Sequence, residues 1–412
     1  MTRAALSGGG VPQDELFREM EGLRAADADW RNGRSALHVY WAGEDVQDVS
    51  ARAFAMFQQT NALAPRAFPS LARMKEDILN MSLPLWRAPP GASGVITTGG
   101  TESIILAMQA MRHLAAEMRP GLRHPVVLAA RSAHPAWEKA AGLLGMRVIR
   151  VALDATWRAD PGAMADAITS DVVGLVASAP SLPFGTTDPV REIGQLALRH
   201  DLWLHVDACL GGYLAPFVRD LGLPVPEYDF SVPGVRSLSA DLHKYGYAPK
   251  GNSLLAYRDR KDLARNRFYF GAWPKGGYET ATLTGTRSGG TLAAAWAVMR
   301  YLGAEGYSRR AAVIMRTRAE IETGLRQMGG AALLGPQHLG VLSFAMTDGD
   351  ACIREDRLGA LGWYTSRIAD PVGLQMTLTP VHEGIAGHLI RDLCHAMRSG
   401  GAAKPALEIS TY

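Results

Sequence analysis

The segment SLSADLHKYGYAPKGNSLLAY (237–257) runs an apolar-alternating strand into His243 and Lys244, then through a Gly/Pro-rich turn into a second strand, NSLLAY. A lysine amine held and desolvated at such a turn is suited to forming an imine with a carbonyl. Taken alone, Lys244 reads as a surface lysine at a hairpin. Thirty-seven positions upstream, LWLHVDACLGGYLAPF sets Asp207 at the end of a strongly apolar strand, just before the small-residue turn Ala208-Cys209-Leu210-Gly211-Gly212. A carboxylate there requires a cationic partner or several donors. A protonated pyridine nitrogen is such a partner, and holding it protonated turns an aromatic cofactor into an electron sink for a carbanion. A metal ion or a capping role would also satisfy Asp207.

Three further segments carry polar groups of the right kind. GVITTGGTESIILAMQAMRHLAAEM (94–118) places a Gly-rich turn directly before an apolar-striped helix. The backbone N–H groups of that helix start, with the hydroxyls of Thr98, Thr101 and Ser103, suit a phosphate monoester; Thr101 as a simple helix cap is the plainer reading. In RSAHPAWEKAAGLLG (131–145), His134 follows the strand PVVLAA and precedes a helix, where its imidazole could lie flat on a cofactor ring or merely cap the helix. GYETATLTGTRSGG (277–290) supplies Tyr278, Thr286 and Arg287 in a glycine-rich loop able to bring donors to a phosphate, unless Arg287 is a surface residue. There is no G-x-x-x-x-G-K-[ST] or G-x-G-x-x-G, and His382 and His388 lack the H-E-x-x-H spacing, so neither a nucleotide loop nor a metal site is assigned.

These residues need elements to hold them. From about residue 90, short β-branched runs (PVVLAA, MRVIRVAL, VVGLVASAP, LWLHVDA) alternate with amphipathic stretches (HPAWEKAAGLLG, PGAMADAIT, PVREIGQLALRH). That alternation predicts an α/β fold with a mostly parallel sheet covered by helices on both faces, its ligand at the carboxyl edge of the strands. A helix is expected from about Asp14. A long one is expected over GYSRRAAVIMRTRAEIETGLRQMG, then strands such as GVLSFAM and a closing helix near IAGHLIRDLCHAM. The expected division is an N-terminal helical segment (1–60), a large cofactor-binding domain (61–303) and a small C-terminal α/β domain (304–412).

Composition narrows the function classes. The 412 residues are 47% hydrophobic and 20% charged, enough for a substantial core. Lys and Arg total 43 against 40 Asp and Glu, scattered rather than clustered, which argues against nucleic acid. Three cysteines, Cys209, Cys352 and Cys394, fit a reducing compartment better than a disulfide framework. Without a signal-peptide core or an apolar run of about 18 residues, a soluble cytoplasmic protein without a membrane anchor is expected.

In order, TTGGTES, SAHPAWEKAA, HVDACLGG, SADLHKYGYAPKG and YETATLTGTRSGG resemble the motifs of sphingosine-1-phosphate lyases, members of the group II decarboxylase branch of the fold-type I pyridoxal-phosphate enzymes. The resemblance runs from about Tyr40 to residue 303. It implies the aspartate-aminotransferase-like fold, pyridoxal 5'-phosphate bound as a Schiff base to Lys244, Asp207 facing the pyridine nitrogen and His134 stacked on the ring. It makes Gly100, Thr101 and His243 neighbours of the cofactor phosphate. It also implies a homodimer whose Thr286- and Arg287-bearing loop reaches the neighbouring subunit's site. Tyr40 and Lys250 match substrate-side residues that meet substrate phosphate or carry protons. The family commonly reads N-P-L-H-P where this chain has Asn61-Ala62-Leu63-Ala64-Pro65, so Ala64 replaces a substrate-side histidine. Thr280-Ala281 and Ser288 also depart from the family's Ser-Pro and Pro.

The activity so implied is retro-aldol cleavage of a phosphorylated sphingoid base, or a similar 2-amino-3-hydroxy compound, to an aldehyde and an amine such as phosphoethanolamine. Amino-acid α-decarboxylation would use the same lysine, aspartate and histidine. Cleavage of an unphosphorylated β-hydroxy amino acid or amino alcohol is a second alternative, and a catalytically silent interaction protein a third; intact Lys244 and Asp207 argue against the last.

Overall fold

A computed structural model describes residue 6 and residues 8–346 and 351–398 of the chain. Its central sheet has seven strands: β1 (Ser93–Thr97), β2 (Val126–Ala130), β3 (Arg147–Val151), β4 (Val172–Ser178), β5 (Trp203–Asp207), β6 (Val235–Ala240) and β7 (Ser253–Tyr257). They lie in the order β1-β7-β6-β5-β4-β2-β3. β2 to β6 pair in parallel, and β7 is antiparallel to both its neighbours, β1 and β6. β2, β4 and β5 are buried at every position, as strands covered on both faces must be, which is why they read as near-continuous apolar runs. β3 lies at the sheet's edge and alternates in exposure. The covering helices bury one stripe each: helix Val190–Arg199 turns Val190, Ile193, Leu196 and Ala197 inward.

A two-stranded sheet, β8 (Phe268–Phe270) with β9 (Tyr278–Thr280), precedes the long helix. The C-terminal part is an antiparallel sheet of β10 (Ala331–Leu333), β11 (Val341–Met346), β12 (Ser366–Ala369) and β13 (Val372–Thr377), in the order β10-β11-β13-β12, with helices Ala351–Ala360 and Ala386–Arg398. The first helix is Gln13–Arg24, one residue from its expected start.

The long helix expected from Gly306 is present and runs to Met328. It is preceded, across a break at Gly303 (φ 53°, ψ −177°), by a helical stretch from Gly289 that was not expected. Its glycine start reads as loop because glycine is a poor helix former. Tertiary contact overrides propensity there: a Cβ on Gly289 would lie 2.0 Å from Thr60 Oγ1, so only glycine lets the helix start close against the turn at Thr60. Ser288 Oγ accepts the Thr291 N–H and caps it.

Residues 34–39 are not helical. Ala36 N–H bonds to Tyr364 O, Thr377 N–H to Ala36 O, and His382 Nε2 lies 3.0 Å from Ser35 O. This stretch is therefore pinned to the C-terminal sheet and carries Tyr40 toward the carboxyl ends of the central strands.

Candidate active site

The loops that leave the carboxyl ends of β1, β2, β4, β5 and β6 surround a cavity of about 360 Å³ whose walls include Gly100, Thr101, His134, Asp207, His243 and Lys244. Six of the residues singled out by sequence thus converge from four loops.

Lys244 sits in the turn after β6, its Nζ 3.0 Å from Asp241 Oδ2. Asp241 is 2% exposed and its Oδ1 has no hydrogen-bond partner. Burial alone would lower the Lys244 pKa, but the Asp241 carboxylate carries it well above the ordinary lysine range. Burial would raise Asp241, and the charges of Lys244 and His243 outweigh it and hold the carboxyl below its usual value. The two form an ion pair in which the carboxylate is buried and the lysine half-buried, with one oxygen left over.

Asp207, 7% exposed, ends β5. Its Oδ1 accepts from Cys209 N at 3.1 Å and, at the limit, from Ser239 Oγ at 3.5 Å. Among the described residues Oδ2 has no donor, and the residue forms part of the cavity wall. His134 Nδ1 accepts the Ala136 N–H at 3.1 Å, which assigns the ring proton to Nε2. Burial holds its pKa below the usual histidine value against the opposing pull of Asp207, so the imidazole is neutral at pH 7.

Helix Gly100–Met118 points its N-terminus at the same space, and its first-turn N–H groups have no intrahelical acceptors. A Cβ on Gly100 would meet Cys209 Sγ at 2.8 Å and Asp241 Oδ2 at 3.1 Å, so no side chain fits there. Gly99 is the cap residue and makes no side-chain bond, so Thr101 is not the cap and stays at the cavity wall. The other two hydroxyls expected to serve a phosphate are engaged elsewhere. Thr98 Oγ1 donates to Glu102 Oε2, and Ser103 Oγ lies 2.7 Å from Thr97 Oγ1 and 3.1 Å from Ser253 Oγ, inside the sheet. His243 Nδ1 accepts from Asn252 N, and its Nε2 is 3.6 Å from Asp241 Oδ2.

Tyr40 and Lys250 lie behind Lys244 and are not among the cavity's walls. The Tyr40 ring meets Tyr245 edge-on at 5.1 Å, and Lys250 Nζ is 5.0 Å from the Tyr40 centroid. Lys250 donates to His38 O at 3.0 Å and His243 O at 3.3 Å. Burial and the neighbouring Lys244 charge bring the Lys250 pKa down to about 8. Burial pushes Tyr40 up to about 12 against the pull of Lys244.

Thr286 and Arg287 do not reach this cavity in their own chain. They line a separate one of about 190 Å³ that shares only Thr98 with it. Asn61 Nδ2 donates to Thr286 Oγ1, and Arg287 Nη1 to Ile96 O. Tyr278 packs edge-on against Trp273.

The pyridoxal-dependent decarboxylase conserved domain matches residues 31–347. Sphingosine-1-phosphate lyase 1 of Mus musculus is 35% identical over 388 residues, covering 93% of this chain and 68% of the mouse protein. The solved Burkholderia pseudomallei sphingosine-1-phosphate lyase superposes with a TM-score of 0.92 at 34% identity, over 96% of this chain and 93% of that one. The chain belongs to the sphingosine-1-phosphate lyase branch of the pyridoxal-dependent decarboxylase family. A probable L-tyrosine/L-aspartate decarboxylase of Methanothermobacter thermautotrophicus is 32% identical over 346 residues, covering 84% of this chain and 93% of that protein.

The protein is therefore a pyridoxal-phosphate-dependent lyase of the aspartate-aminotransferase-like fold. Its residues fit that cofactor: a lysine amine for the aldehyde, an open carboxylate oxygen for a pyridinium, a neutral imidazole for the ring and a side-chain-free helix start for the phosphate. Sequence reading missed Asp241, the partner of Lys244, and Glu102, whose carboxylate takes the Thr98 and Leu283 N–H groups and so ties the 277–288 loop to the helix start. Asp241 was findable by the logic that found Asp207, because it too is a carboxylate just past the end of an apolar strand. Glu102 was not, since an acidic residue in a first helical turn is ordinary.

Proposed function

We propose that this enzyme cleaves the Cα–Cβ bond of a phosphorylated sphingoid base or similar 2-amino-3-hydroxy compound, releasing an aldehyde and an amine such as phosphoethanolamine. The observation that carries the reading is the 34–35% identity to sphingosine-1-phosphate lyases over more than nine-tenths of this chain, and Lys244, ion-paired to buried Asp241 in one cavity with the open oxygen of Asp207, supplies the cofactor chemistry it needs. When bound, pyridoxal phosphate supplies the electron sink for the pair released as the bond breaks. Asp207 holds the proton on the ring nitrogen. His134, neutral, packs against the ring without adding charge. Gly100, Thr101 and His243 bind the phosphate end. Lys244 anchors the cofactor and, once displaced by the substrate amine, can return a proton to Cα. Lys244, Lys250 and Tyr40 are the candidate carriers of the Cβ hydroxyl proton; Lys250, its pKa brought down to about 8, and Tyr40, protonated at neutral pH, stand outside the cavity's walls, so a substrate that meets them extends past Lys244.

The reading includes a homodimer in which Thr286 and Arg287 of one chain serve the other's site. Two exposed apolar surfaces support it: Leu16, Phe17, Met20 and Leu23 on a helix with no buried residue, and Phe268, Tyr269, Phe270 and Trp273 near the loop. Residues 1–60, 61–303 and 304–412 are assigned to an N-terminal helical segment, the cofactor domain and a small C-terminal α/β domain. No helix among the described residues is long and apolar enough to cross a membrane; the reading takes the enzyme to be cytoplasmic.

Decarboxylation is the second reading, favoured by the Methanothermobacter relative, while Ala64 in place of a substrate-side histidine favours cleavage of an unphosphorylated β-hydroxy amino acid or amino alcohol. Product analysis separates them. Fatty aldehyde from sphingosine-1-phosphate is expected; carbon dioxide from tyrosine or aspartate without aldehyde from any amino alcohol would reverse the assignment.

A further inference from the structure

In the smaller cavity, two cations face a shared space without a counter-ion. Lys75, on helix Pro69–Ser82, and Arg287, just before helix Gly289–Met328, both line the 190 Å³ space. Among the described residues Lys75 has neither a hydrogen bond nor an ion pair. The nearby carboxylate of Asp77 is held by Arg73 and Trp296. Arg287 spends Nη1 on Ile96 O, but its buried Nε has no acceptor. Glu102 acts on Arg287 from a distance, yet its oxygens are occupied by Thr98 and Leu283 and it is no wall of this cavity. Burial and the Arg287 charge push the Lys75 ammonium below its ordinary range, and burial lowers the Arg287 guanidinium as well. Two desolvated like charges are costly unless an anion sits between them.

The other walls suit an oxyanion. Ser288 Oγ already accepts the Thr291 N–H, leaving its O–H to donate, and Thr286 adds a second hydroxyl. The volume holds such an anion with some water, each water occupying about 30 Å³. Ala62 is also a wall, so the cavity borders the Asn61–Pro65 segment in which Ala64 stands.

We propose that Lys75 and Arg287 form an oxyanion site of the phosphate class, one that Thr98 separates from the cofactor cavity. The chemistry is shared by two sources, free phosphate and the phosphate of a substrate, and is distinct from the loop's expected reach to a neighbouring subunit's cofactor. Only the substrate source rests on the proposed function; the site itself does not.

The test is thermal unfolding and phosphate titration of the holoprotein at matched ionic strength. Inorganic phosphate is expected to raise the melting temperature where chloride does not. Lys75→Met should weaken phosphate binding by about tenfold or more, the loss of one charge-assisted contact. Lys75→Glu supplies an internal carboxylate to Arg287, so it should melt above wild type in chloride and lose the phosphate response, which a merely structural lysine would not do. If Lys75→Met weakens pyridoxal phosphate binding, the anion is the cofactor's and a separate site is ruled out. If it instead raises KM for the phosphorylated substrate at unchanged cofactor affinity, the anion is the substrate's. If it alters neither, the site serves free phosphate. Equal effects of phosphate and chloride on wild type, or a full phosphate response in both variants, would overturn the proposal.

Discussion

The two cavities separated by Thr98 solve the same electrostatic problem in opposite ways. In the larger, the half-buried cation Lys244 has its counter-ion built in, Asp241 at 3.0 Å, and the open position is an acceptor on Asp207. In the smaller, no carboxylate among the described residues lines the cavity with Lys75 and Arg287, and the open positions are donors. One space is therefore prepared for a cationic ring nitrogen and an aldehyde, the other for an anion. The sources in the fold differ as well: the larger cavity draws on the carboxyl ends of five strands of one sheet, the smaller on residues 75 and 287, brought together by packing of the long helix.

The sharpest way to break the contrast is to remove the amine. Lys244→Ala should abolish both turnover and the cofactor's imine absorbance, read by spectrum and product assay. Asp207→Ala should retain the absorbance but lower kcat/KM by about 100-fold or more, the scale of losing a positioned catalytic group; near-normal turnover would remove Asp207 from its role. Asp241→Asn tests the built-in counter-ion. It should destabilise the apoprotein by on the order of 1–2 kcal/mol in urea unfolding, because a half-buried Lys244 is left unpaired, and destabilise the holoprotein less.

Smaller effects concern pH. With the Lys250 pKa lowered to about 8, the amine is mostly neutral above that pH, so kcat/KM should rise through pH 8 if it takes the hydroxyl proton. Lys250→Met should erase that limb; a limb that survives assigns it to another group. His205, fully buried between Ser237 and Ser239, has its pKa lowered by burial to about 4. The unfolded state then binds more protons between about pH 6.5 and 4, so stability present above that window is lost as pH falls through it. Asp188, raised by burial to about 6, acts in the opposite sense, losing stability as pH rises toward 6. Comparing wild type with His205→Asn in urea at pH 7 and pH 5 isolates the histidine, whose variant should show the shallower acid loss.

The sheet and its active edge were legible because the information is local. Apolar runs such as VVLAA and WLHVD can only be covered strands, and a polar residue closing such a run must serve something at the edge, as His134, Asp207 and Lys244 do. The same rule, applied once more to SADLHK, would have included Asp241. Other features depend on contacts that no window contains. The start of the long helix is set by Thr60 against Gly289, Tyr40 is brought in by pairing of residues 34–39 with the C-terminal sheet, and Thr98 and Ser103 are diverted by Glu102 and Ser253. Lys75 went unremarked because RMKED reads as an ordinary solvent face.

The most direct test of the central claim is borohydride reduction of the protein loaded with pyridoxal phosphate, followed by mapping of the labelled peptide. The account predicts an absorbance in the approximate range 400–430 nm that reduction bleaches, with the pyridoxyl group on Lys244. No band after adding the cofactor, or a label on Lys250 in place of Lys244, would contradict it.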